Sequence, residues 1–365
     1  MQVALVGMPG SGKTTLFNAL TGGHAETGGG HAPGRASANV GVAKVADARL
    51  DALSTLFSPR RTTPADVTYV DLAFAPGALR AETLSADLLG QLRNADALVH
   101  VVRAFADAGQ RRPDDLWRDA EEMELEFVLA DLGVLQRRLE RLRSSGRHGS
   151  PAERAQNAAE REVLSRIEPA LSAGTPLRSQ ALADDDVRVL RGFGFLSQKP
   201  LLVALNLDES ELEATGRLEA EQRARLSDAQ TDVAGLSAKL ESEIAQLNAD
   251  EQAVFMAEMG IAEASRDRVV RLSYGLLGLT SFFTVGEDEC RAWTVRRGAT
   301  AVDAAGVIHS DIARGFIRAE VIGHDELLAA GSMAEARRRG QLRSEGKTYL
   351  VRDGDVVHVL FNVAR

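Results

Sequence analysis

The N-terminal segment constrains this chain more than any other feature. Residues 2–15 read QVALVGMPGSGKTT, a short apolar strand that runs directly into the pattern G-x-x-x-x-G-K-T and then into a helical segment. Glycines at these positions let the backbone turn tightly, so that successive N–H groups point inward at phosphate oxygens. This order predicts the phosphate-binding loop of a nucleoside-triphosphate-binding protein. The predicted nucleotide contacts here are Gly7, Pro9, Gly10, Ser11, Gly12, Lys13, Thr14 and Thr15.

Two side chains of this loop have predicted chemical roles. Lys13 is expected to reach the β- and γ-phosphates, and Thr14 is expected to supply a hydroxyl ligand for Mg²⁺, so both are candidate catalytic residues. The helix that begins near Lys13 adds the positive end of its dipole. The motif does not define the reaction, because kinases, GTPases, ATPases and transport motors all contain it.

The composition is typical of a globular protein with more than one domain. A length of 365 residues suggests about two or three domains. The single cysteine, Cys290, excludes an intrachain disulfide, and no apolar run is long enough to span a membrane. We therefore expect a cytoplasmic protein without a membrane partner. A net charge of −9 argues against nucleic-acid binding over the whole surface but not against a local basic face.

Apolar strand-like runs alternate with helical patterns, such as those at Lys13–Leu20 and Val269–Leu277. Continuous apolar runs are typical of parallel strands that helices cover on both faces. The alternation predicts an α/β fold with a doubly wound sheet, whose ligands bind at the carboxyl ends of the strands. The predicted strands are Gln2–Val6, Val40–Val45, Asp66–Asp71, Ala97–Val102, Pro200–Leu205 and Val233–Leu236.

Residues 113–172 predict an antiparallel helical hairpin, with a break at Ser144–Pro151 and a second helix over about Ala152–Leu171. Leucines spaced by three and four residues form the expected seam: Leu125, Leu129, Leu132, Leu135, Leu139 and Leu142. Arginines gather toward the end of the first helix: Arg137, Arg138, Arg141, Arg143 and Arg147. They are either a solvated face or a contact with RNA or the ribosome.

From about Leu279 onward, short strands and turns predict a small α+β domain of the β-grasp kind. Its clear helical pattern lies near Val302–Ile308. The predicted strands are Ser281–Val285, Ala292–Val295, Phe316–Val321, Tyr349–Val351 and Val356–Phe361. The expected domains are a nucleotide-binding domain over residues 1–278, interrupted by a helical insertion at 112–198, and a C-terminal domain over 279–365.

Later strand ends supply the remaining candidate site residues. Asp71 ends a strand and is the expected second Mg²⁺ ligand beside Thr14, although an ordinary strand-end cap is the alternative. Base recognition is expected at the next strand ends, and its candidates are Asn206, Glu209, Ser237 and Ala238, with Lys239 following.

The order of several segments resembles the YchF, or Obg-like ATPase, branch of the translation-factor GTPases. These segments are GMPGSGKTT, NVGVAKVADARLDAL, PRRTTPADVTYVD, NLDE and FMAEMGI, followed by RVVRLSYGLLGLTSFFTVGEDECRAWTVRRGATAVDAAGVIHSDIARGFIRAEVI and EGKTYLVRDGDVVHVLFNV. The resemblance covers nearly the whole chain. It implies a GTPase-like core, an inserted coiled-coil domain and a C-terminal TGS (ubiquitin-like) domain.

The resemblance also implies a choice of nucleotide. GTPases read guanine through an Asn-Lys-x-Asp motif. Members of the family that this chain resembles have Asn-x-x-Glu instead and share a preference for ATP. Asn206 and Glu209 match that variant, and Leu207 stands where the lysine would lie along the base. A carboxylate on a longer arm spoils the two-point contact with guanine, so we expect ATP to be preferred over GTP.

Two loops depart from the family pattern. Arg35 stands where a γ-phosphate-sensing threonine is expected, and Ser37 is the nearest hydroxyl. The second loop begins at Asp71, and Phe74 stands where the family has glycine. Gly77 could substitute for that glycine only in a different loop geometry. We therefore expect slow hydrolysis. Arg35 is either a charge-stabilising group or a solvent-exposed loop residue.

Three functions follow from these observations. The first is an ATP-binding nucleoside-triphosphate hydrolase of low activity, which acts as a translation or stress regulator and contacts the ribosome or RNA through the hairpin and the TGS domain. The second is a nucleotide-gated binding module for ATP or GTP with negligible hydrolysis. The third is a P-loop kinase of small substrates. Arginines give the C-terminal region a local basic bias: Arg314, Arg318, Arg337, Arg338, Arg339 and Arg343.

Overall fold

The computed structural model describes residues 1–23, 25, 38–72, 86–105, 113–145, 150–226, 230–259, 261 and 263–362. The chain divides into two compact units, one of residues 1–41 and 68–269 and the other of residues 42–67 and 270–365. The domain boundaries expected at 112, 198 and 278 stay a prediction. Within the described part of the chain, no helix is long and apolar enough to cross a membrane.

The elements follow one another as the alternating sequence pattern predicts. In chain order, the strands are β1 (Gln2–Val6), β2 (Asn39–Lys44), β3 (Arg61–Thr63), β4 (Asp66–Asp71), β5 (Ala97–Arg103), β6 (Leu201–Asn206), β7 (Thr231–Leu236), β8 (Leu279–Thr284), β9 (Glu289–Arg296), β10 (Phe316–Gly323), β11 (Arg343–Glu345) and β12 (Asp355–Phe361). The helices are α1 (Lys13–Thr21), α2 (Ala48–Phe57), α3 (Ala86–Asn94), α4 (Pro113–Ser145), α5 (Pro151–Ser172), α6 (Asp184–Leu190), α7 (Thr215–Arg225), α8 (Ala238–Ile244), α9 (Ala249–Glu258), α10 (Ser265–Leu276), α11 (Ala301–Ile308), α12 (Ser310–Arg314), α13 (His324–Ala330) and α14 (Met333–Arg338).

The first sheet has the strand order β2-β4-β1-β5-β6-β7. β1 pairs in parallel with β4 and β5, β5 with β6, and β6 with β7. Every residue of β6 is buried, as the continuous apolar run predicts for a central parallel strand. The register places Arg103, Asn206 and Leu236 side by side at the carboxyl edge of the sheet. The predicted α/β class and doubly wound parallel sheet are confirmed.

The inserted hairpin has its own apolar seam. Leucines of α4 pack against α5 and the segment that follows it in one cluster of buried side chains: Leu135, Leu139, Leu142, Val163, Leu164, Ile167 and Leu171. Leu125 is 44% exposed, so its expected place in the seam is wrong. That part of α4 packs on the core of the sheet through Met123 and Phe127, which turns Leu125 outward.

Buried polar contacts fasten α4 to the segment that leads into β6. The carboxylate of Asp131 accepts hydrogen bonds from the backbone N–H groups of Leu196 and Ser197, at 2.9 and 2.7 Å. Burial raises the pKa of Asp131 from 3.8 to about 6, although these hydrogen bonds act in the opposite direction. Arg178 is also buried and donates to the hydroxyl of Thr231 at 3.1 Å and to the carboxylate of Glu124.

The second sheet has the order β11-β10-β12-β8-β9-β3. β10 is antiparallel to β12, whereas β8 and β12 run in parallel, which is a β-grasp arrangement. Small residues of α11 let this helix lie close to the sheet, and they share a core with residues of β8, β10 and β12: Ala301, Ala304, Ala305, Phe282, Val321 and Val357. The predicted α+β C-terminal fold is therefore confirmed.

Two expectations for this region need correction. Tyr349–Val351 is not a strand, because Leu350 forms an isolated bridge with Thr300 and pairing does not extend along the segment. The helical pattern near Val302–Ile308 is confirmed as α11, but α12, α13 and α14 were not predicted. Each of these helices has seven residues or fewer, too short to show a helical period in the sequence.

Candidate nucleotide site

Two glycines of the phosphate loop occupy positions that no other residue would fit. Gly7 has φ 150°, and a Cβ atom there would lie 2.4 Å from the carbonyl oxygen of Val101. Gly12 caps the N-terminus of α1 with φ 90°, and a Cβ there would lie 2.2 Å from the Nδ2 atom of Asn206. The loop therefore lies directly against β5 and the end of β6, which explains why the motif needs glycine at both positions.

Lys13 is the buried cation of the loop. It is 7% exposed at the first position of α1. Burial lowers the pKa of Lys13 below its usual value, and the negative charge of Asp71 offsets part of this effect. A cation in such a position interacts strongly with an anion that enters the loop, because little water screens the interaction.

His100 lies buried in β5 and adds no charge to the site. Burial lowers the pKa of His100 from 6.5 to about 3, and the positive charges of Lys13 and Arg178 act in the same direction. The imidazole is therefore neutral at physiological pH.

Thr14 and Asp71 lie together, as the sequence predicts. The hydroxyl of Thr14 donates a hydrogen bond of 2.7 Å to Oδ2 of Asp71, and Asn39 of β2 donates to the same oxygen at 3.4 Å. Among the described residues, the buried Oδ1 atom of Asp71 has no hydrogen-bond partner. The site thus presents a hydroxyl and a carboxylate, with one carboxylate oxygen still able to accept.

Asn206 joins two loops at the carboxyl edge of the sheet. Its Nδ2 group donates to the carbonyl oxygen of Ser11 at 2.9 Å, and its Oδ1 atom accepts from the backbone N–H of Ala238 at 2.9 Å. The side chain is buried at the last position of β6. Asn206 therefore fixes the phosphate loop relative to the segment that begins α8.

A cavity of about 200 Å³ lies beside this junction. Its lining combines the phosphate loop with three strand ends, and consists of Gly12, Thr15, Phe105, Asn206, Leu207, Asp208, Glu209, Ser237, Ala238 and Lys239. The ring of Phe105 forms part of the wall, and the guanidinium of Arg103 stacks on it with 4.7 Å to the ring centroid. A mostly apolar space next to a phosphate loop suits a nucleobase.

Glu209 and Lys239 form an ion pair at this cavity. The Nζ atom of Lys239 lies 3.1 Å from Oε1 of Glu209, and both residues line the cavity. Asp208 has a different role, because its carboxylate accepts from the backbone N–H and the hydroxyl of Ser210 at 3.1 and 2.7 Å. Ser237 caps α8 by accepting from the N–H of Leu240 at 3.4 Å.

Most of the candidates from the sequence lie in one continuous region. Among them, Pro9 points outward and is exposed, whereas Ser11 is buried. Phe105, Asn39 and the pairing of Lys239 with Glu209 were not predicted. Phe105 follows the end of β5 by two residues, so its place at the carboxyl edge of the sheet is a signal that could have identified it. The loop candidates Arg35, Ser37, Phe74 and Gly77 lie outside the described residues.

A glycine-rich turn with a buried lysine, at the carboxyl edge of a doubly wound sheet, defines the class of P-loop nucleotide-binding proteins. Comparison with family models agrees, because a model described as 50S ribosome-binding GTPase matches residues 2–130. A second model, YchF-GTPase_C, described as a protein of unknown function (DUF933), matches residues 279–362.

Curated relatives identify the family. The chain is 38% identical to the ribosome-binding ATPase YchF of Bacillus subtilis, with 100% of both chains covered. It is 38% identical to the protein of the same name from Haemophilus ducreyi, with 98% of each covered. The solved structure of the Schizosaccharomyces pombe YchF GTPase has the same fold, with a TM-score of 0.82, 24% identity and 99% and 97% coverage. The chain belongs to the YchF family.

Proposed function

We propose that this chain binds ATP with Mg²⁺, in preference to GTP, and hydrolyses it slowly. The contact between Thr14 and Asp71 beside the buried ammonium of Lys13 carries this proposal. This arrangement places, at one edge of the sheet, the groups with which P-loop hydrolases bind phosphate and metal. The names of the curated relatives, ribosome-binding ATPases, support the same activity.

The residues present fit a bound Mg²⁺ ion. Mg²⁺ prefers oxygen ligands, and it is usually held by one or two protein groups together with phosphate oxygens and water. Thr14 and Asp71 would hold it, and the Oδ1 atom of Asp71, which has no partner among the residues that the structure describes, has capacity for a further interaction. When bound, the ion would neutralise negative charge that develops on the phosphates.

The protein groups around the phosphates act by position and charge. Lys13 would donate to the β- and γ-phosphates from a site where burial strengthens its electrostatic effect. The N–H groups of the loop would hold the phosphate oxygens at the N-terminus of α1. The sequence that follows Asp71, LAFAPGALR, contains no glutamine that could orient the attacking water, so we propose slow hydrolysis.

The cavity beside the loop is the proposed base site. Glu209 is engaged by Lys239, and Leu207 occupies the position of the lysine that lies along guanine in other GTPases. The ion pair with Lys239 leaves the cavity poor in free acceptors for the N1 and N2 hydrogens of guanine, and Leu207 offers no polar group in place of that lysine. Adenine has no such pair of hydrogens, so binding ATP leaves fewer polar groups of the base without a partner than binding GTP does.

We further propose that the protein associates with the ribosome in the cytoplasm as a translation or stress regulator. The description of the matched GTPase model and the names of the relatives support ribosome association. The proposed contacts are the helical insertion at 112–198 and the TGS domain at 279–365, where exposed arginines such as Arg143 and Arg318 lie. Contact with ribosomal RNA through these arginines is part of the proposal.

Single-turnover hydrolysis tests the nucleotide proposal. ATP or GTP is mixed with excess protein and Mg²⁺, and the wild type is compared with Lys13→Ala and with Lys44→Ala, an exposed lysine paired with Asp66. We expect ATP cleavage to fall roughly 100-fold or more in Lys13→Ala and to be unchanged in Lys44→Ala. EDTA should abolish it in every sample.

Two outcomes would change the conclusion. Tight ATP binding by the wild type, without cleavage above that of Lys13→Ala, would favour the alternative function of a nucleotide-gated binding module. Equal or tighter binding of GTP would contradict the proposed preference for ATP.

A further inference from the structure

The ion pair between Lys239 and Glu209 is a feature that the phosphate chemistry does not use. Glu209 begins the short 3₁₀ turn Glu209–Ala214 after β6, and Lys239 lies in the first turn of α8. The two side chains approach from different loops and meet with an Nζ–Oε1 distance of 3.1 Å. Both line the cavity proposed for the base.

Glu209 is the carboxylate in this lining that guanine could use. Asp208 also lines the cavity, but hydrogen bonds from Ser210 engage its carboxylate at the start of the 3₁₀ turn. Guanine presents two adjacent hydrogens, on N1 and N2, which require an acceptor such as a carboxylate. Adenine presents an acceptor at N1 and a donor only at N6, so a free carboxylate favours guanine.

Lys239 removes that advantage in the structure. Its ammonium lies beside one carboxylate oxygen of Glu209 and 4.0 Å from Glu243, so it is surrounded by negative charge. The hydrogen bond to Glu209 raises the pKa of Lys239, which keeps the ammonium protonated. Guanine would have to compete with this cation for the carboxylate.

We propose that Lys239 is a specificity-determining residue, which holds Glu209 in an ion pair and so withholds the carboxylate from guanine. This inference rests on the proposed function, because it concerns the choice between ATP and GTP at the same site. Lys239 acts through Glu209 and is not assigned a contact with the phosphates.

The expected effect is modest, because the side chains of Lys239 and Glu209 are 75% and 41% exposed. Exposed ion pairs contribute little energy, so releasing Glu209 should change the ratio of the two dissociation constants by roughly three- to fivefold. An exposed pair also makes a good experimental target, since its replacement should leave the fold intact.

Titration of ATP and GTP in the presence of Mg²⁺, at one salt concentration, tests the inference. Lys239→Ala should strengthen GTP binding relative to ATP by about three- to fivefold. Lys239→Arg retains a cation and should keep the wild-type ratio. The double variant Lys239→Ala with Glu209→Gln should return to the ratio of Glu209→Gln alone, because the effect passes through the carboxylate. As a control, Arg217→Ala breaks an exposed pair with Glu221 in α7 and should leave the ratio unchanged.

The possible results separate this inference from the function on which it rests. An unchanged ratio in Lys239→Ala overturns the inference alone, since ATP binding would remain. Equal weakening of both nucleotides in that variant also overturns it, because Lys239 would then act on the phosphates. A wild-type protein that binds neither nucleotide overturns the proposed function, and the inference with it.

Discussion

Asn206 shows how a single residue organises the site. Its amide contacts a carbonyl of the phosphate loop through one atom and an N–H of the segment before α8 through the other. Both bonds are buried, so a loss of either leaves a polar backbone group without water to replace it. The residue thus links the proposed phosphate and base sites, and its effects on folding and on binding should be linked as well.

We expect Asn206→Ala to lower the free energy of unfolding by about 1–3 kcal/mol, because two buried backbone groups lose their partner. ATP affinity should fall in the same variant, since the loop is no longer held. Urea unfolding and ATP titration measure the two effects. Asn248→Ala is the matched control, because Asn248 caps α9 at an exposed site, so its loss should affect stability but not ATP affinity. Unchanged ATP affinity in Asn206→Ala would contradict this role.

The sequence predicts the residues of this site when they belong to a motif of fixed spacing. Gly12, Lys13 and Thr14 are of this kind, and the position of Asp71 beside Thr14 is predictable because the carboxyl ends of parallel strands meet at one edge. The pairing of Lys239 with Glu209 is different, since it depends on how two loops approach each other. No local pattern encodes that distance, so it required the structure.

At the scale of elements, length decides what the sequence can predict. The strand ranges Gln2–Val6 and Asp66–Asp71 match the structure because buried runs are long enough to show their period. Short pieces such as β3 and β11 have three residues each and gain their conformation from pairing with a neighbour. The expected place of Leu125 in the hairpin seam is wrong because α4 changes its packing partner along its length.

The attachment of α4 to the segment before β6 gives a prediction about pH. The folded-state pKa of Asp131 is about 6, above its ordinary value of 3.8, so the folded protein binds this proton more tightly than the unfolded chain. The contribution of Asp131 to the free energy of unfolding therefore falls as pH rises from about 4 to about 6, and stays low above that range.

Asp131→Asn removes this titration. Relative to wild type, the free energy of unfolding of the variant should rise by roughly 2.5 kcal/mol between about pH 4 and pH 7, whatever the difference at the lower pH. Urea unfolding at a series of pH values measures it. Asp185→Asn, at an exposed position in α6, removes the same charge and serves as the control. A difference between Asp131→Asn and wild type that does not vary with pH would refute the assignment.

At the scale of the whole molecule, the distribution of charge limits which surfaces could take part in the proposed ribosome binding. The net charge of −9 opposes contact with RNA over the general surface. We therefore propose that the contact uses local groups of arginine. Arg143 lies in the last turn of α4, and Arg318 is exposed on β10 in the second unit. These positions belong to the two regions proposed to bind.

Ribosome co-sedimentation with charge-reversed variants tests this proposal. Arg143→Glu and Arg318→Glu should each weaken binding by roughly fivefold at moderate salt, because each replaces attraction to phosphate by repulsion. Arg217→Glu changes the net charge by the same amount on an exposed face of α7 and should bind as the wild type does. A similar loss in all three variants would indicate that net charge controls association. An absence of binding under every nucleotide condition would overturn the ribosome proposal.

The salt dependence gives a further test of the same contact. If the difference between Arg143→Glu and Arg217→Glu disappears at high salt, the contact is electrostatic and local, as proposed.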